Sequence, residues 1–159
     1  MRALIAILVV AAVIGYAALS GAWVNTAGGW YQSLAQPAWQ PPPWVFGLIW
    51  PYNFLVLIVV GIAMATGASL PQAWGYLGLL AVTAGLAIGW AYLFYVPHAL
   101  TAAAVSLTAA AVLTLPLLVL AFVGRGWLAA LLLPYQVWLI LAASLSWGYA
   151  VADGAAKSG

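Results

Sequence analysis

The stretch "WYQSLAQPAWQPPPWVFGLIW", residues 30–50, decides how the chain is read. Its first seventeen residues carry three tryptophans, four prolines and three glutamines. Such a segment is too polar and too proline-rich to cross a bilayer. After Pro43 the prolines thin out and a long apolar run begins at Trp44. The stretch therefore ends a connection and starts a spanning helix. Its aromatic content is out of place in an idle linker. It fits the lid or rim of a cavity buried in the membrane, with prolines holding the chain extended and glutamines meeting water without bringing charge.

The remainder of the chain sets the solvent. Of 159 residues, 69% are hydrophobic and 3% are charged, whereas a soluble domain carries about 25% charged residues. These residues predict an integral, multi-pass membrane protein. About 20 apolar residues cross a bilayer core, and five runs qualify: roughly residues 3–23, 44–66, 73–96, 99–123 and 127–152. They are apolar on every face and too long for barrel strands, so an all-α bundle of five helices is expected, as a single domain over 1–159. Short links ("GASLPQ", "VPH", "GRG") make successive helices antiparallel neighbours. Only the first connection, about Val24 to Pro43, is long. The first run, with its basic start and small residues near Ser20, also has the outline of a secretory signal. Its length favours a retained helix.

The ionisable side chains Arg2, His98, Arg125, Asp153 and Lys157 fall at the ends of apolar runs or between them. In an alternating bundle Arg2 and Arg125 share one side and Lys157 takes the other. A net charge of +2 is too small and dispersed for nucleic acid. Without cysteine or glutamate, and with one aspartate and one histidine, neither a nucleophile–base pair nor a metal cluster can be built. Conventional acid–base catalysis, a metal site and a coupling-ion site at mid-membrane are not expected. His98 could ligate a haem iron, although a lone loop histidine is more often an ordinary wet residue.

The ten tryptophans admit two readings. Trp23, Trp74 and Trp127 at helix ends suit an interfacial belt. Trp50, Trp90 and Trp138 lie inside their runs, where an indole needs a hydrogen-bond partner or a flat apolar neighbour. Trp50 and Phe54 share a helical face, as do Trp90 and Phe94. On the last helix Tyr135, Trp138, Ala142, Leu145 and Tyr149 recur at helical spacing, large rings alternating with a small residue to leave a slot. Three aromatic faces with little charge imply a pocket for a broad, flat, apolar molecule. Asn53, two turns into its helix, should face the bundle or that pocket. Ala81, Gly85 and Gly89 form a small-residue stripe suited either to a dimer contact or to packing within the chain. Pro51, Pro116 and Pro134 are read as shaping elements.

These features resemble the TspO/MBR family, the tryptophan-rich sensory or translocator proteins. The resemblance rests on Trp30-Tyr31, on Pro37-Ala38-Trp39, on Pro41-Pro42-Pro43-Trp44-Val45-Phe46 and on Trp50. It is extended by Pro134-Tyr135-Gln136-Val137-Trp138 in the fifth spanning run and by Trp90 through Phe94-Tyr95 in the third. It covers nearly the whole chain. It implies a homodimer of five-helix subunits binding porphyrin, haem or related flat hydrophobic ligands under the first loop, with no cofactor required. The implied ligand-binding positions are Trp39, Trp50 and Trp138, with Trp30, Trp44, Phe46, Asn53, Phe54, Ala87, Trp90, Phe94, Tyr135, Ala142 and Leu145 completing the candidate wall. The implied dimer contact is Ala81, Gly85 and Gly89.

Three functions follow as expectations: a receptor or sensor for tetrapyrrole-like ligands; a light- or oxidation-dependent porphyrin-degrading enzyme using Trp50 and Trp138; and a tetrapyrrole or lipid transporter. Where the family pattern has asparagine, this chain has Ala87 and Ser146, and Asp153 falls at a later asparagine position. Asn53 is expected to replace part of the amide lost at Ala87. Tyr149 and Lys157 are too far apart for the proposed short cholesterol-contact motif.

Overall fold

A computed structural model describes residues 1–158 of the chain, with side chains through residue 155. Six helices follow in order: α1 (Arg2–Val24), α2 (Gly28–Ser33), α3 (Pro43–Gly67), α4 (Leu70–Tyr95), α5 (Leu100–Gly124) and α6 (Gly126–Ser158). All but the short α2 are long and apolar enough to cross a membrane. The protein is an integral, multi-pass membrane protein built as a five-helix bundle. In hydrocarbon the helix is the economical form, because each peptide group is satisfied within its own segment.

The spanning helices close into a ring: α1 lies between α3 and α4, α5 between α4 and α6, and α3 meets α6. Small residues set the close approaches. The buried face of α5 carries Ala103, Ala104, Leu107, Ala110, Ala111 and Thr114, so neighbouring backbones come near, as membrane packing favours. At Gly61 a side chain would run into Val9 of α1. Polar ties cross between helices: Ser106 Oγ donates to Leu86 O at 2.7 Å, Gln136 Nε2 to Ala111 O at 3.0 Å and the Tyr52 hydroxyl to Leu131 O at 3.1 Å.

The helix ends show where local chemistry moves the boundaries. α4 begins at Leu70 rather than near 73, because Ser69 and Gln72 form a capping box around Pro71 in the first turn. α3 starts on Pro43, whose missing N–H costs nothing at that position. The long first connection is not wholly extended, since α2 occupies its early part. Pro51, Pro116 and Pro134 lie inside α3, α5 and α6.

The alternation gathers Val24, α2, Pro43, Tyr95, His98 and Tyr149 at one end of the bundle. Arg2, Gly67 and Arg125 lie at the other. On α4, Ala81 and Gly85 are exposed on the outer surface, with nothing packed over Gly85 among the described residues. Gly89 turns toward α5, where an added Cβ would stand 3.5 Å from Ser106 Oγ.

Candidate functional site: an aromatic cavity

At the end of the ring that carries the long connection, the helices leave a cavity of about 310 Å³, in the lower part of the range for small-molecule sites, about 300–1,000 Å³. α3 contributes Phe46, Trp50 and Phe54, one helical turn apart on one stripe. α6 contributes Trp138, Ala142, Leu145, Ser146 and Tyr149, and α4 contributes Trp90, Phe94 and Tyr95. The fourth wall is α1, through Ala17, Ser20, Gly21 and Val24. Its residues are small, so α1 leaves room where the other walls supply rings.

The rings brace one another. Phe46 meets Trp138 edge-on at 5.1 Å between centroids, and Trp50 meets Trp138 edge-on at 6.2 Å. Trp50 and Phe54 are nearly parallel at 5.7 Å and 25°. Tyr16, fully buried behind them, sets its ring against Phe54 at 5.1 Å. Pairs of this kind contribute about 0.5–1.5 kcal/mol each beyond area burial, so the wall is held before a ligand arrives.

Polar groups are few. Trp90 Nε1 donates to Ser146 Oγ at 3.2 Å, which fixes the Trp90 indole. Trp138 and Ser20 line the cavity, and their Nε1 and Oγ atoms are buried without a hydrogen-bond partner among the described residues. A buried donor without a partner is costly. No charged side chain lines the cavity among the described residues.

The rim is tied across chain segments. The Tyr149 hydroxyl donates to Gln40 Oε1 and pairs at 3.2 Å with the Tyr31 hydroxyl. Trp39 Nε1 donates to Ser144 Oγ at 3.2 Å, and Pro37 and Trp39 pack over Gly148, where an added Cβ would stand 2.7 Å from Pro37 Cγ. Trp30 stacks face to face on His98, centroids 3.6 Å apart and planes 11° apart. His98 holds φ at 56°, a left-handed conformation that L side chains adopt at a cost.

The candidate residues divide accordingly. Phe46, Trp50, Phe54, Trp90, Phe94, Trp138, Ala142 and Leu145 come together in the lining. Trp30 and Trp39 hold the connection to the bundle from outside the lining, and Trp44 is 67% exposed on the outer surface. Asn53, Ala87 and Tyr135 are buried in the helix core, also outside the lining. Asn53 and Ala87 thus both belong to the core rather than to the cavity wall. Tyr31, Gln40, Tyr95 and the whole α1 wall are additional. The small residues Ala17 and Gly21, four apart beside Ser20, were the available signal for α1.

The TspO/MBR family model matches residues 4–152. The chain is 29% identical over 126 residues to protein CrtK of Rhodobacter capsulatus, covering 77% of this chain and 78% of that protein. It is 31% identical over 119 residues to the tryptophan-rich protein TspO of Bacillus cereus, covering 74% of this chain and 76% of that protein.

Proposed function

The chain belongs to the TspO/MBR family and is a membrane sensor or receptor of the TspO kind, and from that premise we propose that its cavity takes a flat, hydrophobic, tetrapyrrole-like ligand such as a porphyrin or haem. The observation that carries the reading is the cavity wall itself: aromatic rings from three helices facing small residues of a fourth, with no charge among the lining residues. A planar ring system would gain contact with Trp50, Phe54 and Trp138. The N–H of Trp138 and the hydroxyl of Ser20 supply two points of orientation. Any carboxylates on the ligand belong at the rim, beside Asn25 and Gln40, because the walls offer no cation to pair with them.

The test is binding of protoporphyrin IX in the dark, followed by its absorbance, to the protein in nanodiscs. One saturable site per chain, competed by a carboxylate-free porphyrin, supports the reading. Partition equal to that of empty nanodiscs refutes it.

A second reading, light-dependent porphyrin breakdown, is favoured by one observation: Trp50 and Trp138 line the same cavity in ring contact. Either indole could pass an electron to a photo-excited ligand. This reading requires a new product spectrum under light that disappears in Trp50→Phe or Trp138→Phe. As for assembly, we propose a homodimer through the outward small residues Ala81 and Gly85 of α4, with Gly89 at the edge of that face. Cysteine cross-linking at Ala81 in membranes tests it.

A further inference from the structure

The two arginines of this chain converge on one helix end, at the face of the bundle away from the cavity. Arg2 Nη1 donates to Ala65 O and to Ala68 O, both at 2.9 Å. These carbonyls belong to the last turn of α3 and to its C-cap residue, where helical partners run out. Arg125, in the link between α5 and α6, lays its guanidinium on the same turn. A Cβ built on Gly67 would stand 2.9 Å from Arg125 Nη2 and 3.2 Å from its Nε. The absence of a side chain at Gly67 is what lets the second guanidinium close in beside the first.

The helix end does not balance this charge. Two full positive charges face a helix C-terminus worth roughly half a negative charge. The single acidic side chain of the sequence, Asp153, lies near the end of α6 at the opposite face. Both arginines are exposed. Each guanidinium carries five N–H donors, and among the described residues Arg2 meets the two carbonyls through Nη1, which leaves donors for a further acceptor. Trp74 and Trp127, 41% and 55% exposed, sit near the same end, where exposed indoles mark headgroup depth.

We propose that Arg2 and Arg125, gathered on the C-terminal turn of α3, form a binding site for the phosphate of an anionic phospholipid headgroup. Planar guanidinium forks match phosphate oxygens, and the indoles place the site at headgroup depth rather than in bulk water. The net negative charge of the lipid is required, because a zwitterionic headgroup brings its own cation to a site already in excess. The site is separate from the cavity and does not depend on what the cavity binds.

The experiment is native mass spectrometry of the full chain released from nanodiscs of mixed phosphatidylcholine and phosphatidylglycerol, with thermal melts in the same discs. The expected result is retention of phosphatidylglycerol above its bulk fraction and a higher melting temperature than in pure phosphatidylcholine. Arg125→Gln should lower retention roughly fivefold, the factor expected for one arginine at a membrane surface, and Arg125→Lys should restore part of it. Arg125 is the informative position, because Arg2→Gln also removes the two bonds to α3. Equal retention in wild type and Arg125→Gln would overturn the site. An equal melting-temperature rise from inorganic phosphate in pure phosphatidylcholine discs would overturn the lipid as its occupant.

Discussion

The indole of Trp138 meets that of Trp50 edge-on, with centroids 6.2 Å apart and planes at 86°. Each ring thus presents a different aspect to the cavity they share. Trp138 is 4% exposed and its Nε1 has no partner among the described residues, an arrangement that is costly unless a ligand supplies the acceptor.

Trp138→Phe should therefore weaken a ligand that carries an acceptor by roughly two- to tenfold, the worth of one net hydrogen bond at about 0.5–1.5 kcal/mol. The melting temperature of the ligand-free protein should hold or rise, because the orphaned donor is removed while a ring remains. Isothermal titration beside a thermal melt checks both. A large loss of apo stability would mean that the N–H is satisfied within the protein.

At Ser146 the expectation is reversed. Its hydroxyl accepts from Trp90 Nε1, so Ser146→Ala leaves a part-buried indole N–H unpaired, at a cost of about 1–3 kcal/mol. At about 2–4 °C per kcal/mol for a chain of this size, a lower melting temperature follows. Ser146→Asn should retain most of the stability, since its amide oxygen can take the same proton.

Gly148 bears the connection between α2 and α3. An alanine there would press its Cβ to 2.7 Å from Pro37 Cγ and 3.1 Å from Trp39 Cζ2. The proline ring is fixed to the backbone and cannot swing away. Gly148→Ala should lift residues 37–39 from α6, at a cost of about 1–3 kcal/mol as in other overpacked sites. Loss of protection of this segment in hydrogen exchange, with α6 itself still protected, is the expected readout.

His98 separates two contributions. Both His98→Gly and His98→Ala remove the stack on Trp30, but only alanine keeps a Cβ at φ 56°. The glycine variant should be the more stable by about 1 kcal/mol. If alanine is equal or better, the backbone at this position relaxes once the stack is gone.

Much of this was legible in the sequence, for physical reasons. Spanning helices announce themselves by length and hydropathy, and the aromatic walls by four-residue spacing. The residues that fell outside the lining did so by helical geometry. Trp44 precedes Phe46 by two positions, which turns it about 200° from the Phe46–Trp50–Phe54 stripe and out to its exposed position. Tyr135 lies one turn deeper than Trp138, below the cavity floor. Asn53 lies one residue from Phe54 and points into the core instead; Asn53→Leu should leave ligand affinity within about twofold, since a change that touches no ligand loses no contact energy. The part of α1 in the cavity wall was only faintly displayed. Ala17 and Gly21 contribute by being small, and a small-residue spacing fits close helix packing as well as a cavity wall. α2 is six residues long with two glycines, too short to show a period.

The most direct measurement is a dark titration with protoporphyrin IX, following tryptophan quenching, of the wild-type protein beside a Trp50→Phe/Trp138→Phe double variant. It is read from the half-saturation concentration rather than the amplitude. Saturable one-site quenching is expected in the wild type, with a clear shift to weaker binding, roughly tenfold or more, when both indoles that line the cavity are replaced. Equal half-saturation in the two proteins, or quenching that rises without saturating, would contradict it.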